Sequence, residues 1–220
     1  MAKARSYKLL CPIARALDRI GDRWTLLILR DLHAGPARFS ELQRGLTGIA
    51  ANLLTERLGK LVDDGLIIRD DGGHGTMVYE LTDLGRQTGT LIFELATFGG
   101  QFKPEVEPVK PGNLRTVATT FGQAANRVSM DGMNFRASLQ VDGENIDLHV
   151  HDGEAHATYA PSPSPDLIFT TSYTDLLALS EGELSPDIFA RDHAVLDVYT
   201  PGKDQEFMAL MGRIVELLNS

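Results

Sequence analysis

The segment from Cys11 to Phe98 constrains the fold more than any other part of this chain, because the spacing of its apolar residues changes in a definite order. Four successive runs have helical spacing. A strand–turn–strand pattern follows, and a last helical run completes the segment. The first two helices are marked by the apolar stripes Ile13, Leu17, Ile20 and Trp24, Leu27, Ile28, Leu32.

The third and fourth helices are separated by a turn that Gly45 and Gly48 flank. Residues 40–43 read Ser-Glu-Leu-Gln, and this capping-box spacing predicts the start of a short third helix. The long fourth helix should bury one face, expose the other and end at residues 64–65. Its apolar face holds Leu54, Leu58, Leu61 and Val62, and its polar face Asn52, Thr55, Glu56 and Lys60.

Residues 66–69 and 76–81 are two strand candidates joined by a Gly-rich tip. Thr82 can cap a final helix, whose apolar positions are Leu84, Leu91, Leu95 and Phe98. The complete order of elements is that of a winged helix-turn-helix. In that fold one exposed helix and one hairpin tip contact a DNA duplex.

Six short signatures support a family resemblance. They are Cys11-Pro12, Gly21–Leu29, Phe39-Ser40-Glu41-Leu42, Leu54-Thr55-Glu56-Arg57-Leu58, Gly65-Leu66-Ile67 and Tyr79–Gly85. Together they cover nearly all of residues 8–98, and there the chain resembles the HxlR-type family of bacterial transcription regulators. The resemblance implies a homodimer on a near-palindromic operator, with dimer contacts from the first and last helices of the domain.

The start of the fourth helix, the recognition helix, departs from the family pattern of Ser-Pro followed by a basic residue. Ala50, Ala51 and Asn52 occupy these positions. Losing the serine cap costs about 1 kcal/mol of helix-end stability, whereas Asn52 can pair with an adenine edge. The operator is therefore expected to differ from those of typical members.

The expected DNA contacts lie on the recognition helix, at the start of the third helix and on the wing. The candidates are Asn52, Thr55 and Arg57 on the recognition helix, Arg38 and Ser40 on the third helix, and Arg69 and His74 on the wing. Arginines and helix N-termini suit phosphate contacts. Arg57 has an alternative, which is an internal ion pair with Glu56 or Asp22.

Cys11 is the single cysteine of the chain, which excludes an internal disulfide and suits a reducing cytoplasm. It can be a half-buried apolar residue near the dimer interface. Alternatively, it can be a thiol sensor, as in some relatives of this type, because Lys8, Arg15 and the following helix N-terminus favour the reactive thiolate.

The net charge of −9 is unevenly distributed. Residues 1–100 carry 13 Lys and Arg against 12 Asp and Glu, whereas residues 101–220 carry 8 against 18. The near-neutral first half can contact phosphates through local arginines. The acidic second half would be repelled by a duplex and is expected to have another task.

The Pro-rich residues 103–112 predict a linker. We therefore expect a DNA-binding and dimerisation domain over residues 1–102 and a second domain over residues 113–220. No apolar run approaches the roughly 20 residues that span a bilayer, and the N-terminus lacks the apolar core of a signal peptide. A cytoplasmic protein is expected.

The second domain alternates apolar and polar residues over 134–143 and 145–153, and both runs end in Asp-Gly. This pattern predicts half-buried antiparallel strands. Further strand and helix patterns follow, so we expect an α+β domain whose antiparallel-rich sheet is covered by helices.

Part of this domain resembles a sterol carrier protein type 2-like domain, through residues 166–171, the helix 173–179 closed by Gly182, the strand 195–198 and the amphipathic C-terminal run. The resemblance implies an apolar cavity for a lipid-like or acyl small molecule. Candidate lining residues are Phe121, Phe135, Ile146, Leu148, Phe169, Leu177, Phe207 and Met211. The same residues can instead be ordinary core.

His149 and His151 share a strand face with Asp147, a spacing that can bring two imidazoles near a metal. Because the opposite strand face already forms core, we expect solvated histidines, no metal site and no cofactor. The sequence also lacks a Gly-x-Ser-x-Gly elbow, a P-loop, a dinucleotide fingerprint and a Cys/His nucleophile pair, so no enzyme is expected.

These observations predict a homodimeric, sequence-specific DNA-binding regulator, a repressor, whose C-terminal domain senses an apolar small molecule. In the alternative, the C-terminal domain is purely structural or dimerising, and Cys11 is the thiol redox sensor.

Overall fold

The computed structural model describes residues 6–71, 76–102 and 113–218. The chain divides into two compact units, Met1–Ile92 and Phe93–Ser220. The expected linker, residues 103–112, lies outside the described residues, so the domain limits given by the sequence stay a prediction.

The first unit is a helical core with a two-stranded wing. Its elements are α1 (Pro12–Ile20), α2 (Thr25–His33), α3 (Phe39–Gly45), α4 (Ala51–Asp63), β1 (Ile67–Asp71), β2 (Met77–Leu81) and α5 (Asp83–Arg86); α6 (Thr88–Gly99) begins in it. The strands β1 and β2 pair antiparallel, with Ile67 opposite Leu81 and Asp71 opposite Met77. This is the winged helix-turn-helix order that the sequence predicts.

The core of the first unit forms where α2, α3 and α4 turn their apolar faces inward. Leu54, Leu58 and Leu61 of α4 are buried as predicted, whereas Val62 is exposed. Gly65 ends the helix with φ +71°, a left-handed conformation that glycine adopts without strain. At Gly85 a Cβ atom would lie 2.0 Å from the carbonyl oxygen of Leu66, so only glycine fits between the wing and α5.

The expected start of the third helix at Ser40 was wrong. The helix begins at Phe39, and the backbone N–H of Arg38 donates to Glu41 Oε2 at 2.7 Å. Glu41 therefore provides the acidic half of a capping box, two positions earlier than the Ser-x-x-Gln pattern indicates. Ser40 lies in the first helical turn and is exposed.

His33, at the end of α2, is a neutral histidine in a partly buried position. Thr88 Oγ1 donates to Gly85 O at 2.7 Å, so its oxygen accepts from His33 Nε2, which lies 3.0 Å away. Burial lowers the pKa of His33 to about 4, and the nearby Arg86 charge acts in the same direction.

We expect this histidine to make the first unit less stable in acid. Its pKa is lower in the folded chain than in the unfolded chain, where it is about 6.5, so stability decreases as pH falls from 6.5 towards 4. The His33→Gln variant should show a flatter pH dependence of unfolding free energy over this range. Urea unfolding followed by fluorescence of the single tryptophan, Trp24, measures it in this unit. His156→Gln, at an exposed position, is the control; equal slopes for wild type and His33→Gln would contradict the prediction.

The second unit is built on a five-stranded sheet in the order β5-β4-β3-β6-β7. Its elements are α7 (Leu114–Ala125), β3 (Phe135–Val141), β4 (Glu144–His151), β5 (Glu154–Thr158), β6 (Leu167–Thr171), α8 (Tyr173–Ser180), α9 (Pro186–Asp192), β7 (Val195–Val198) and α10 (Lys203–Leu218). The β3–β6 pair is parallel and the other three pairs are antiparallel. Asp142 and Asp152 have positive φ, as does the glycine after each, so both Asp-Gly pairs form tight two-residue turns.

One face of this sheet is apolar and lies against α7 and α10. The helix α7 approaches β5 closely at Gly122, where a Cβ atom would lie 3.1 Å from the Cβ of Ala157. Asn126, just beyond α7, donates to Ala155 O at 2.7 Å and accepts from Ala155 N at 2.9 Å. The side-chain amide of Asn126 thus forms the same pair of hydrogen bonds with the edge strand β5 that the backbone of a neighbouring strand would form. Among the described residues no helix has the length and apolar character needed to cross a bilayer.

Candidate nucleic-acid interface

The recognition helix α4 presents a polar face beside its buried leucines. Ala50 precedes the helix and provides no side-chain cap, so the cap expected from the family pattern is absent here. Asn52 and Thr55 are exposed. The hydroxyl of Thr55 donates to Ala51 O at 2.9 Å within the helix, which leaves its oxygen lone pairs as acceptors.

The other candidate contacts lie at the start of α3 and on the wing. Arg38 and Ser40 are exposed at the first turn of α3. Arg69 is exposed on β1 opposite Tyr79, and the next two residues, Asp70 and Asp71, are exposed carboxylates. Phosphate contact by this strand would therefore depend on Arg69. The remaining wing candidate, His74, lies outside the described residues.

Arg57 lies on the same helix but its guanidinium makes ion pairs within the unit. Its Nε lies 3.1 Å from Asp22 Oδ1, and its Nη1 donates to Glu56 Oε1 at 2.9 Å. Its side chain is only 23% exposed. Both partners are those that the sequence offered as an alternative to DNA contact.

Asp22 was offered by the sequence only as a partner of Arg57, and its hydrogen bonds to the start of α2 were missed. Its Oδ1 accepts from the backbone N–H groups of Trp24 and Thr25 at 3.0 and 3.2 Å, and its Oδ2 accepts from the Thr25 hydroxyl. Burial opposes its ionisation, but these hydrogen bonds and the charge of Arg57 lower the pKa of Asp22 below its ordinary value. Asp22 therefore caps α2 and anchors α4 as a carboxylate. The Gly-Asp step before an apolar run is a cap signal that could have identified it.

Two helices of the described chain expose apolar stripes. On α1 and the residue before Cys11, Leu10 is 99% exposed, Ile13 70% and Leu17 44%, spaced three and four residues apart. On and just beyond α6 the exposed apolar residues are Leu91, Leu95, Phe98 and Phe102. Aligned apolar residues on a helix face are typical of surfaces that pack against another chain.

Cys11 lies at the N-cap of α1 and is exposed. Its carbonyl oxygen accepts from Arg15 N at 3.1 Å, and Pro12 occupies the first helical position. The thiol is accordingly reachable from solvent in the single chain, in contrast to the half-buried position that the sequence offered as one alternative.

The eight candidate lining residues of the second unit separate into two groups. Phe135, Ile146, Leu148 and Phe207 are at most 1% exposed. Phe121, Phe169, Leu177 and Met211 are only partly buried. Aromatic contacts connect the groups, because the ring of Phe207 lies 6.1 Å from that of Phe135 and 5.5 Å from that of Phe169.

The polar face of the same sheet carries the histidines. The rings of His149 and His151 stack at 5.9 Å, and His149 lies opposite His156 on β5. Burial and the Arg136 charge lower the pKa of His149. Within the part of the chain that the structure describes, no group of three His, Cys, Asp or Glu side chains is arranged to hold a metal ion.

Comparisons with known proteins agree with the geometry of the first unit. The model of the HxlR-like helix-turn-helix family matches residues 19–107. The uncharacterized HTH-type transcriptional regulator Mb3122 of Mycobacterium bovis is 35% identical over 145 residues, covering 58% of this chain and 89% of the relative. The uncharacterized regulator YtfH of Escherichia coli is 33% identical over 102 residues, covering 46% of this chain and 81% of the relative. Among solved structures, the chain is similar to PA1607, a candidate transcription factor, with 39% sequence identity and a TM-score of 0.42. The match covers 46% of this chain and 73% of the PA1607 chain. Because the Mycobacterium bovis regulator is 35% identical and is matched over 89% of its length, the chain belongs to the HxlR-like helix-turn-helix family of transcriptional regulators.

Proposed function

We propose that this regulator acts as a homodimer that binds a near-palindromic operator and represses transcription. The observation that carries the proposal is the exposed polar face of α4 on a winged helix-turn-helix frame. A helix so presented fits the major groove, and two copies related by a two-fold axis read two half-sites. Dimerisation is typical of the family, and the apolar stripes of α1 and α6 are the surfaces that we assign to it.

The DNA contacts divide into base reading and phosphate binding. Asn52, on the first turn of α4, reads an adenine edge through its amide, and Thr55 contacts an adjacent base. Phosphates are bound by side chains at the start of α3 and on the wing. These phosphate contacts are Arg38, Ser40, Arg69 and His74.

The base-reading role of Asn52 can be tested on an operator selected from a random DNA pool with the wild-type protein. Asn52→Ala should lower affinity for that operator roughly 10-fold, because one bidentate base contact is worth about 1–3 kcal/mol. Non-specific affinity should not change. Fluorescence anisotropy with operator and scrambled duplexes measures both.

Arg69→Gln provides the matched phosphate control. It should weaken binding to both duplexes alike and reduce the salt slope of log affinity by about 1. An Asn52→Ala variant that loses affinity for both duplexes equally would contradict base reading.

We further propose that the second unit is a sterol carrier protein-like domain that binds an apolar or acyl small molecule. The residues that support it are the half-buried Phe121, Phe169, Leu177 and Met211, of which Phe169 contacts the buried ring of Phe207. A ligand regulates only if it binds one state of the protein more tightly than the other. Native mass spectrometry of the purified protein should show a non-covalent adduct that denaturation removes, and operator affinity should change across a panel of fatty acids and acyl-CoA thioesters.

The exposed thiol of Cys11 beside the α1 stripe favours a second candidate input. In that case the second unit is structural, and thiol oxidation between subunits or with a small thiol changes operator affinity. Diamide treatment of wild type and Cys11→Ser separates the two inputs. A diamide effect that Cys11→Ser abolishes, together with no response to the lipid panel, would replace ligand sensing by redox sensing.

A further inference from the structure

Three polar links join the end of α1 and the loop after it to the recognition helix. Lys60 Nζ donates to the carbonyl oxygen of Asp18 at 2.7 Å. Arg19 forms an ion pair with Asp64. Arg57 pairs with Asp22. We refer to these six residues, Asp18, Arg19, Asp22, Arg57, Lys60 and Asp64, as the α1–α4 brace.

The spacing of the brace on α4 indicates what it restrains. Residues 57, 60 and 64 are three and four apart and therefore share one side of the helix. Because successive residues are about 100° apart around a helix axis, that side is distinct from the one that presents Asn52. The brace thus holds the helix without occupying its DNA-reading face.

Each of the two ion pairs of the brace has one partner that is largely shielded from solvent. The side chain of Asp64 is 8% exposed and that of Arg57 23%, whereas their partners Arg19 and Asp22 are 63% and 26% exposed. Exposed pairs contribute little, whereas removing one partner of a buried pair leaves the other charge desolvated and displaces its surroundings. Small changes in these residues are therefore expected to move α4 rather than merely release a side chain.

The other end of the brace belongs to elements at the start of the chain. Asp22 caps α2, so Arg57 is connected to the first turn of that helix. The carboxylate of Asp18 accepts from Ser6 Oγ at 2.9 Å and from Tyr7 N at 3.0 Å. The end of α1, whose outer face carries the apolar stripe, is therefore joined to α4 through the contacts of Asp18 and Arg19.

We propose that Arg57 and Lys60 are positioning residues: Lys60 fixes α4 against the end of α1, Arg57 fixes it against the start of α2, and together they couple the position of these two elements to operator recognition. This inference rests on the proposed DNA-binding function. It assigns Arg57 to the internal role instead of to direct DNA contact.

A double-mutant cycle on operator affinity tests the coupling in the full-length protein. Asp22→Asn keeps an effective cap residue for α2 but removes the charge that faces Arg57. Asp22→Asn and Arg57→Gln should each lower operator affinity roughly 5- to 30-fold, and the double variant should lose no more than the weaker-binding single variant. Affinity for scrambled duplex should stay unchanged, because it depends on phosphate contacts that the brace does not make.

Lys60 gives an independent test with a conservative rescue. Lys60→Met should lower operator affinity, whereas Lys60→Arg, which retains a donor for Asp18 O, should restore most of it. Arg86→Gln is the matched control, because Arg86 pairs with Glu80 of β2 and does not belong to the brace. Circular dichroism and thermal melting establish that each variant is folded at the assay temperature.

Three results would overturn the inference while the wild type still binds its operator. In the first, Arg57→Gln weakens binding to both duplexes and lowers the salt slope of log affinity by about 1, while Asp22→Asn binds normally. This is the behaviour expected if Arg57 contacts a phosphate. The second is additive losses in the cycle, and the third is unchanged operator affinity in all brace variants. A wild-type protein that selects no operator would instead refute the proposed function.

Discussion

Replacing Leu91 and Leu95 together by aspartate is expected to produce a monomer that binds the operator on the order of 1000-fold more weakly than the wild type. Both side chains are exposed on one face of α6 in the single chain. Two unpaired carboxylates buried in an apolar interface would cost several kcal/mol. Without dimerisation each recognition helix binds one half-site alone, and affinity approaches the non-specific level, which typically lies 10³-fold or more below specific affinity.

Analytical ultracentrifugation gives the mass of the variant, and anisotropy gives its operator affinity. Thr90→Asp with Glu94→Gln provides the control, since both positions are exposed on the same helix outside the apolar stripe. That control should remain dimeric and bind normally. The aspartate pair should leave the thermal stability of the monomeric fold nearly unchanged because neither leucine contributes to the buried core. A variant that stays dimeric would remove α6 from the interface.

Truncating Phe207 to alanine should lower the unfolding free energy of the second unit by about 3–5 kcal/mol. The ring is fully buried on α10 and contacts the rings of Phe135 and Phe169. Its removal loses transfer free energy and leaves a void next to two other aromatic side chains. Chemical unfolding followed by far-ultraviolet circular dichroism measures the change, with the Trp24 signal separating out the first unit.

Met208→Ala on the same helix is the matched control, because Met208 is exposed and surface substitutions usually change stability by less than about 0.5 kcal/mol. The comparison also decides between the two interpretations of Phe207. A loss below about 1 kcal/mol would mean that the ring lines open volume and not packed core. In that case a small apolar ligand should stabilise the Phe207→Ala variant more than the wild type.

The helices and wing of the first unit could be predicted from sequence because their signals are local. Apolar spacing identified α4 and its inward-facing Leu54, Leu58 and Leu61, and Gly65 identified its end. The start of α3 was misplaced, because a cap depends on which residue adopts extended backbone geometry, and Ser40 and Glu41 both fit a capping pattern. Of the α1–α4 brace, the sequence offered only the Arg57–Asp22 pair, as an alternative to DNA contact. The other two pairs join residues more than 40 positions apart and could not be derived from local patterns.

In the second unit, too, the local features could be predicted from the sequence and the long-range ones could not. The Asp-Gly turns follow from neighbouring residues. The parallel pairing of β3 with β6 depends on a connection that no periodicity encodes. Helix α9 was missed, although Ser185 before Pro186 is a helix-start signal, and its hydroxyl accepts from Ile188 N at 3.4 Å. The degree of burial could not be predicted from the sequence either, because the helical pattern does not distinguish the fully buried Phe207 from the half-buried Met211.

The pairing of Asn126 with Ala155 bears on how the chain avoids aggregation while it folds. An edge strand offers unpaired N–H and C=O groups to any extended segment nearby, including one from another copy emerging from a ribosome. At β5 the amide of Asn126 already pairs with both backbone groups of Ala155, so an incoming strand would have to displace two hydrogen bonds before it could extend the sheet there. Asn126 thus protects this part of the β5 edge against pairing with another chain.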